Sequence, residues 1–407
     1  MPDAQAGRGL AGMVSVVIAC YNHASYLSEA VDSVLAQTYA HREIVVVDDG
    51  STDNTPEVAG RYGDRIRYVR QENAGLSGAK NTGLREARGE FVNFLDADDV
   101  LLPRMLEKVV RRLAQSPAAG AAFCATILSN GELRDRSWVH SPSLSDCAFD
   151  DLAHANHLNC HSLVWRRDTL RATGWFDTSL KACEDWDFWL RAARRGVQFV
   201  RVPEALVVYR MVASSMSRRA TPFYEAGKTV ILTGHAPDPR VGDPAPEHAQ
   251  GCRSDPSETI AQWAINAACI AVAGGRVGEA CELLETANGG FARGLQPEHF
   301  ASRLYSLLYG SALTPTQIDE LWLRTGRPLM DTLIQTETRI AKPGFAMQSL
   351  LEITGHPRLQ AELDAMRAAP TQRIAARLRR ILTLFRTTPG TVLQRVSGSL
   401  RLGLESR

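Results

Sequence analysis

The sequence predicts an α/β domain built on a parallel sheet, followed by an α-helical domain. Short β-branched runs alternate with amphipathic helical segments in the first half of the chain, and aspartates follow two of those runs. Proline-rich sequence near residue 240 then interrupts any regular element, and helix-start signals recur after it. At 407 residues the chain exceeds the usual size of one domain, which also favours two.

The α/β prediction starts at residues 13–20 (MVSVVIAC), a short β-branched run that is apolar on both faces, as in a buried parallel strand. The next segment, ASYLSEAVDSVLAQ, places apolar residues at helical spacing. Further strands are predicted in REIVVV, RIRYVR and EFVNFL, with the helix LSGAKNTGLREA before the last of them. Ligands of such sheets bind at the carboxyl ends of the strands.

Acidic residues stand at two of those strand ends. Asp48 and Asp49 follow one strand, and Asp96, Asp98 and Asp99 follow another. Like charges this close repel, so they must face water or a cation. A solvated turn would explain one Asp-Gly-Ser sequence, but two clusters at one edge favour ligand binding, and carboxylates suit Mg²⁺ or Mn²⁺.

The predicted domain organisation has five parts. They are a flexible N-terminus (1–12), the α/β domain (13–233), a proline-rich linker (234–256), a helical C-terminal domain (257–370) and a basic amphipathic tail (371–407). Two sequences beyond the linker, SDPSE and LTPTQ, combine a cap, a proline and a capping-box partner at the start of a helix.

Composition limits the function classes and the compartment. With 46 basic and 45 acidic residues the net charge is +1, so no global field attracts nucleic acid. Eight cysteines without a CxxC pair argue against a disulfide scaffold or a zinc ribbon and suit a reducing cytosol. Neither a signal peptide nor an apolar run of the roughly 18 residues needed for a membrane span is present, so we expect a cytoplasmic location.

Five sequence blocks suggest a known family. VSVVIACYN, VVVDDGSTD, QENAGLSGAKNTGL, GEFVNFLDADD and GWFD with CEDWDFWLR occur in the order and spacing of the family 2 glycosyltransferases. Residues 13–218 resemble that family, whose GT-A fold is a Rossmann-like nucleotide-diphospho-sugar transferase domain. The resemblance implies metal-dependent, inverting transfer of a sugar from a nucleotide-sugar, above all a UDP-sugar. The acceptor would be a hydroxyl of a glycan, a lipid-linked or another molecule in cell-surface polysaccharide or glycoconjugate synthesis.

The resemblance assigns roles to the acidic residues at the strand ends. Asp98 would be the direct ligand of Mn²⁺ or Mg²⁺, Asp96 would contact the ribose or the metal shell, and Asp99 would support the loop. Asp49, or alternatively Asp48, would accept a hydrogen bond from the nucleotide base.

The resemblance also places the remaining donor contacts. Ala19 and Tyr21 would form the walls of the base pocket, although a tyrosine at a strand end is also a common packing residue. Asn73, Gly75 and Lys80 would line the sugar and diphosphate side, and the Lys80 ammonium would offer a charge to phosphate. A solvated surface position is the alternative for Lys80.

The chemistry also needs a base, because an attacking hydroxyl must lose its proton. The ED motif of the family puts the base at Asp185, with Glu184 and Asp187 as supports. The aromatic neighbours in DWDFW would raise the pKa of a carboxylate. Alternatively, these acidic residues only complement the dipole in the first turn of a helix. A single carboxylate base implies single displacement and therefore inversion at the anomeric carbon.

The sequence departs from the family in two places. Many relatives have a histidine where Val212 stands, so any contact from that histidine is in doubt, although Tyr209 and Arg210 persist. The QxxRW motif of processive relatives is missing, which favours transfer of one sugar per encounter.

Two other segments have open interpretations. His154, His157, His161 and Cys160 could gather on one helical face as a zinc site, or could lie where the family binds its acceptor. The tail 371–407 holds eight Arg against one Glu. It could lie on anionic lipid at the inner face of the membrane, or pack its apolar face on the helical domain.

Two alternatives to a glycosyltransferase are open from sequence alone. A silent nucleotide-sugar-binding scaffold would retain the pocket without the chemistry, but the presence of Asp98 and Asp185 argues against it. A nucleotidyltransferase also uses aspartates and a metal, but VSVVIACYN lacks the glycine-rich basic loop of that class.

Overall fold

The computed structural model describes residues 10–129, 133, 138–211, 219–297, 299, 328–329, 331–342, 345–346 and 348–349. Its strands are β1 (Leu10–Cys20), β2 (Arg42–Asp48), β3 (Arg67–Arg70), β4 (Gly89–Asp96), β5 (Val100–Leu101), β6 (Ala119–Ser129), β7 (Trp138–His140), β8 (Leu163–Arg166) and β9 (Gln198–Arg210). Its α-helices are α1 (Ala24–Leu35), α2 (Thr55–Gly60), α3 (Gly75–Glu86), α4 (Met105–Ala114), α5 (Ala148–His154), α6 (Arg167–Thr173), α7 (Glu184–Arg194), α8 (Ala220–Gly234), α9 (Pro256–Ala273) and α10 (Val277–Gly290). Short 3-10 turns span Gly63–Arg65 and Cys160–Ser162.

The described strands form one mixed sheet in the order β3-β2-β1-β4-β8-β6-β9-β5, with β7 paired to β6. The half containing β3, β2, β1 and β4 is parallel, as predicted. The other half is not, because β8 runs antiparallel to both β4 and β6. The α/β fold class is confirmed, but the purely parallel sheet is corrected to a mixed one.

Strand β1 is buried in the core of the sheet, and its pairing with β2 and β4 places the predicted site. Val14, Val16 and Ile18 of β1 are fully buried, as is Leu27 of α1. Helix α3 lies close to β1, since a Cβ on Gly83 would stand 2.1 Å from Val17 Cγ1. The strand-end residues Ala19 and Asp96 are paired in register, as are Cys20 and Asp48. Both predicted acidic strand ends therefore meet at one edge.

The chain divides into two compact units, Met1–Val212 with Ala226–Pro256, and Ala213–Glu225 with Ser257–Arg407. Helix α9 begins at Pro256, within the predicted SDPSE start signal. In the second unit, residues such as Ala264, Ile265 and Leu284 build a separate apolar core. The helical character predicted after the proline-rich segment is therefore observed in α9 and α10.

The proline-rich segment predicted as a linker packs on the first unit instead. The buried Arg194 of α7 donates hydrogen bonds to the carbonyl oxygens of His248 at 2.9 Å and Thr233 at 2.7 Å. The ring of His248 stacks on Phe149 with centroids 4.6 Å apart. These hydrogen bonds satisfy backbone carbonyl groups in turns where proline prevents regular secondary structure. The LTPTQ start, the basic tail and Val212 lie outside the described residues.

Helices long and apolar enough for a membrane span do not occur among the described residues.

Candidate active site

The turn after β4 is fixed from two sides. Asp99 is fully buried, and its Oδ1 accepts a hydrogen bond from the backbone N–H of Arg210 at 2.7 Å. The Arg210 side chain donates from Nε to the carbonyl oxygen of Asp98 at 2.6 Å and pairs with Glu29. The Asp99 N–H closes the turn onto the carbonyl of Asp96 at 3.0 Å. Asp99 therefore supports the loop from inside, while Asp96 and Asp98 keep exposed surface.

His161, from the 3-10 turn before β8, lies against this turn. Its Nδ1 is 2.9 Å from Asp99 Oδ2, which is an ion-pair distance, and both atoms are buried. The ring stacks on Tyr209, with centroids 5.7 Å apart. Burial lowers the pKa of His161, but the carboxylates of Asp99, Asp96 and Asp98 together outweigh burial, and the net direction is upward.

Lys80 connects the two acidic segments of the site. Its Nζ lies 2.8 Å from Glu184 Oε1 at the start of α7 and 3.9 Å from Asp96 Oδ1 at the end of β4. The side chain is only 2% exposed, which excludes the solvated alternative. Burial lowers the pKa of Lys80, but the surrounding negative groups outweigh it and raise the pKa well above the ordinary value. Lys80 is therefore a buried cation between carboxylates, and its contact with phosphate stays a prediction.

Asp185 follows Glu184 in the first turn of α7 and keeps part of its surface exposed. Its Oδ1 accepts a hydrogen bond from the Trp186 N–H at 2.6 Å. Burial of the carboxyl group, and then repulsion from Glu184, raises the pKa of Asp185 to about 7. A carboxylate with a pKa near neutrality suits a general base.

Asp187 pairs with two arginines and braces α7. Its two oxygens bind Arg191 Nε at 2.9 Å and Arg240 at 2.8 Å. Arg240 also pairs with Asp177 at 2.8 Å, so the proline-rich segment contacts the GWFD motif as well. Asp187 therefore supports the helix, as the resemblance implies.

The described acidic residues form two layers, which we call the acidic site. Asp96, Asp98 and Asp185 are the accessible layer, and Asp99 and Glu184 are buried beneath them with the cations Lys80 and His161. Burial, together with repulsion from Asp99 and Asp96, raises the pKa of Asp98 to about 7. When all five carboxyl groups are ionised, their negative charge exceeds the positive charge of Lys80 and His161, and the raised pKa values reflect that repulsion.

A divalent cation fits this excess of oxygen ligands. One donor atom each from Asp96, Asp99 and His161 lies within 4.8 Å of the others, and the buried Asp99 Oδ2 lacks a well-aligned hydrogen-bond donor. Asp98, the predicted direct ligand, is not in that group, whereas its neighbour Asp99 is. Carboxylate-rich sites of this kind suit Mg²⁺ or Mn²⁺.

The predicted base-side aspartates are both engaged within the protein. Asp48 is fully buried and accepts hydrogen bonds from Tyr68 Oη and from the Ser51 N–H, the latter at 2.8 Å. Asp49 Oδ1 accepts from Gln71 Nε2 at 2.7 Å and from the Ala74 N–H at 2.8 Å. Asp49 thereby holds the loop that leads into α3.

The other predicted donor contacts lie beside these two aspartates. Tyr21 is 47% exposed and Ala19 is buried at the end of β1, so Tyr21 is not a core packing residue. Asn73 is exposed, and Gly75 has φ +78° with open space where a Cβ would stand. A glycine there leaves the backbone accessible from the side of the loop.

Comparison with known proteins finds a family match for residues 15–170. Residues 15–170 match the family model described as glycosyl transferase family 2. An uncharacterized glycosyltransferase of Nostoc sp. is 39% identical over 166 residues, which cover 39% of this chain and 52% of that protein. Residues 15–170 are therefore similar to the family 2 glycosyltransferases.

Other relatives match the same family 2 domain over part of their length. The uncharacterized glycosyltransferase EpsJ of Bacillus subtilis is 30% identical over 220 residues, covering 50% of this chain and 63% of that protein. An uncharacterized glycosyltransferase of Rickettsia typhi is 34% identical over 188 residues, covering 45% of this chain and 59% of that protein. The matches thus span between half and two thirds of these relatives.

Two solved structures are also similar to the chain. Staphylococcus aureus TarS 1-349 in complex with UDP has a TM-score of 0.47 at 16% identity, covering 84% of this chain and 92% of that one. The mannosyltransferase PcManGT of Pyrobaculum calidifontis, in complex with GDP-Man and Mn²⁺, has a TM-score of 0.45 at 21% identity, covering 79% and 86%.

Sequence reasoning missed two contributors to the acidic site. His161 was considered for zinc or the acceptor side, yet it lies against Asp99. Arg210 was noted only as part of a motif, yet it fixes the turn that carries Asp98. No local pattern could reveal either contact, because β8 and β9 reach this edge only through the mixed sheet.

Proposed function

We propose that this chain is a metal-dependent, inverting glycosyltransferase. It would move one sugar from a nucleotide-sugar, of the UDP-sugar class, to a hydroxyl of a glycan or a lipid-linked acceptor in cell-surface polysaccharide or glycoconjugate synthesis. The observation that carries the proposal is Lys80, which links Glu184 at 2.8 Å and Asp96 at 3.9 Å. These contacts support a single site that contains the proposed metal-binding turn and the proposed base, whose neighbours Asp96 and Glu184 share Lys80.

Asp98 and Asp96 are the proposed ligands of Mn²⁺ or Mg²⁺, with Asp99 and His161 beneath them. The ion, when bound, supplies positive charge beside the diphosphate leaving group. Arg210 holds the turn that carries these ligands. Its backbone N–H donates to Asp99 Oδ1, and its Nε donates to the carbonyl oxygen of Asp98. Water and phosphate oxygens would complete the coordination, since the chain offers few ligands at this edge.

Asp185 is the proposed base. Its partly exposed carboxylate would accept the proton of the acceptor hydroxyl as that oxygen attacks the anomeric carbon. Hydrogen bonding to the Trp186 N–H at 2.6 Å orients one oxygen. The donor nucleotide would lie beside Tyr21 and Asn73, and Asp49 or Asp48 would act on the base, either directly or by holding the loop that contacts it.

A pH profile tests the role of Asp185. Because burial raises the pKa of Asp185 to about 7 and only the deprotonated carboxylate accepts a proton, kcat should fall below pH 7, approaching tenfold per pH unit. The measurement is kcat at saturating donor and Mn²⁺, where the metal-binding carboxylates are already ionised. A profile that stays flat down to pH 5 would contradict the assignment.

Calorimetric titration with nucleoside diphosphates tests the donor site. We expect one of UDP, GDP and CDP to bind tightly with Mn²⁺ and at least about tenfold more weakly without it, because the ion neutralises carboxylates that otherwise repel phosphate. Asp98→Asn should abolish the metal dependence, whereas Asp64→Asn, an exposed aspartate before β3, should not. Binding without turnover on any sugar nucleotide would instead favour the silent scaffold.

The membrane-contact proposal rests on sequence alone. The basic tail 371–407 that would contact anionic lipid at the inner face lies outside the described residues.

A further inference from the structure

A second cluster of metal-ligating side chains lies in the first unit, outside the acidic site. One donor atom each from His154, His235 and Cys252 lies within 4.8 Å of the others. His154 ends α5, His235 follows α8, and Cys252 belongs to the proline-rich segment. We call these three residues the His-Cys cluster.

Both histidine rings of the cluster are oriented by their other nitrogen. His154 Nδ1 lies 2.6 Å from the carbonyl oxygen of Asp150, and His235 Nδ1 lies 2.8 Å from that of Ile231. A carbonyl oxygen only accepts, so Nδ1 is the protonated nitrogen in each ring. Each Nε2 then presents a lone pair, and a backbone carbonyl behind the imidazole is the usual arrangement of a metal-bound histidine.

The two lone pairs converge on one hydroxyl. Ser254 Oγ lies 2.8 Å from His154 Nε2, 3.0 Å from His235 Nε2 and 3.2 Å from Cys252 Sγ. The hydroxyl has a single proton, so it can donate to only one of the two Nε2 atoms at a time, whereas its contact with Cys252 Sγ can be donated from either side. A metal cation among them would satisfy both imidazoles and the sulfur at once.

We propose that His154, His235 and Cys252 bind a zinc ion, with the Ser254 hydroxyl or a water as the fourth ligand. Two imidazoles and one thiolate are a donor set that zinc prefers, whereas magnesium and manganese prefer oxygen. The two rings have centroids 5.3 Å apart at 83°. Tetrahedral zinc bound through two Nε2 atoms places ring centroids roughly 5 Å apart, so little rearrangement is needed.

The structure separates the histidines that the sequence grouped as a zinc site. His161 and Cys160 are buried beside the acidic site, near Asp99 and Lys80. His157 offers its carbonyl oxygen to the His140 ring at 3.0 Å. Of the four candidates only His154 joins the His-Cys cluster, and its partners come from more distant sequence.

Zinc at this position would have a structural role. It would connect the end of α5 to the end of α8 and to the segment that contains Arg240. Helix α5 also supports α7, because the Leu152 carbonyl accepts a hydrogen bond from Trp186 Nε1 at 2.6 Å. The inference is independent of the proposed transferase activity, since none of its ligands belongs to the acidic site.

Metal titration of the 407-residue chain tests the proposal. Metal-free protein is titrated with Co²⁺ and then Zn²⁺ in excess Mg²⁺, which occupies oxygen ligands but competes poorly for thiolate. We expect one tight equivalent, a thiolate-to-cobalt charge-transfer band that zinc abolishes, and a zinc-dependent rise in Tm. Cys252→Ser should remove the band and weaken zinc binding by more than about tenfold.

Cys147→Ser is the matched control, because Cys147 is also a partly exposed free cysteine of the first unit. It should bind metal like the unmodified protein. His154→Gln provides a second variant if Cys252→Ser folds poorly by circular dichroism. Unchanged zinc affinity in a folded ligand variant, or absence of the cobalt band in the unmodified protein, would show a hydrogen-bonded cluster only and overturn the proposal.

Discussion

Replacement of Asp185 by Asn is expected to lower kcat by about 10²–10⁴-fold and to leave nucleotide binding unchanged. The amide has the same shape as the carboxylate and keeps an oxygen for the Trp186 N–H, but it cannot accept a proton. The measurement is sugar transfer under saturating donor and Mn²⁺, together with calorimetric binding of the nucleoside diphosphate.

Asp98→Asn gives the complementary result. It should abolish the metal-dependent part of nucleotide binding, because a proposed ligand of the ion is lost. Asp64→Asn is the control for both, since Asp64 is exposed at the opposite end of the strands. If Asp185→Asn weakened nucleotide binding as much as Asp98→Asn, the separation of base and metal ligand would be wrong.

Replacement of Lys80 by Met is expected to lower the free energy of unfolding by about 3–5 kcal/mol. Glu184, whose side chain is only 6% exposed, would be left as a buried carboxylate without the ammonium now 2.8 Å away. Methionine fills a similar volume, so the loss would come from the unpaired charge and not from a cavity. Urea denaturation followed by circular dichroism measures it.

A double-mutant cycle isolates that charge. Glu184→Gln in the Lys80→Met background removes the unpaired carboxylate, so the double variant should regain most of the lost stability. Additive losses in the two single variants would instead show that Lys80 and Glu184 stabilise the fold independently. The rate of sugar transfer by the double variant then measures what the Lys80–Glu184 pair contributes to the site beyond stability.

The part of the fold predictable from sequence is the part with regular local patterns. Strands β1, β2 and β4 are continuous apolar runs, and a parallel arrangement brings Asp48 and Asp96 to one edge without further information. Helix α7 was predictable at the ED motif, because its acidic first turn and aromatic face are local signals.

The remainder depends on contacts between distant segments. The direction of β8 is set by its pairing with β4 and β6, which no periodicity encodes. Residues 234–256 have the composition of a linker, but Arg194 and Arg240 hold them in place through contacts that composition does not show. His161 and Asp99 meet for the same reason, and so do His154 and Cys252.

The close approach of α3 to β1 has a consequence for the chemistry. Gly83 lies one helical turn after Lys80, and any side chain there would overlap Val17. The space between α3 and β1 at Gly83 therefore has no room for a methyl group. The distance between α3 and β1 in turn determines how deep the Lys80 ammonium lies between Glu184 and Asp96. The charge balance of the acidic site thus depends on the distance between α3 and the sheet. Gly83 sets that distance without touching any substrate.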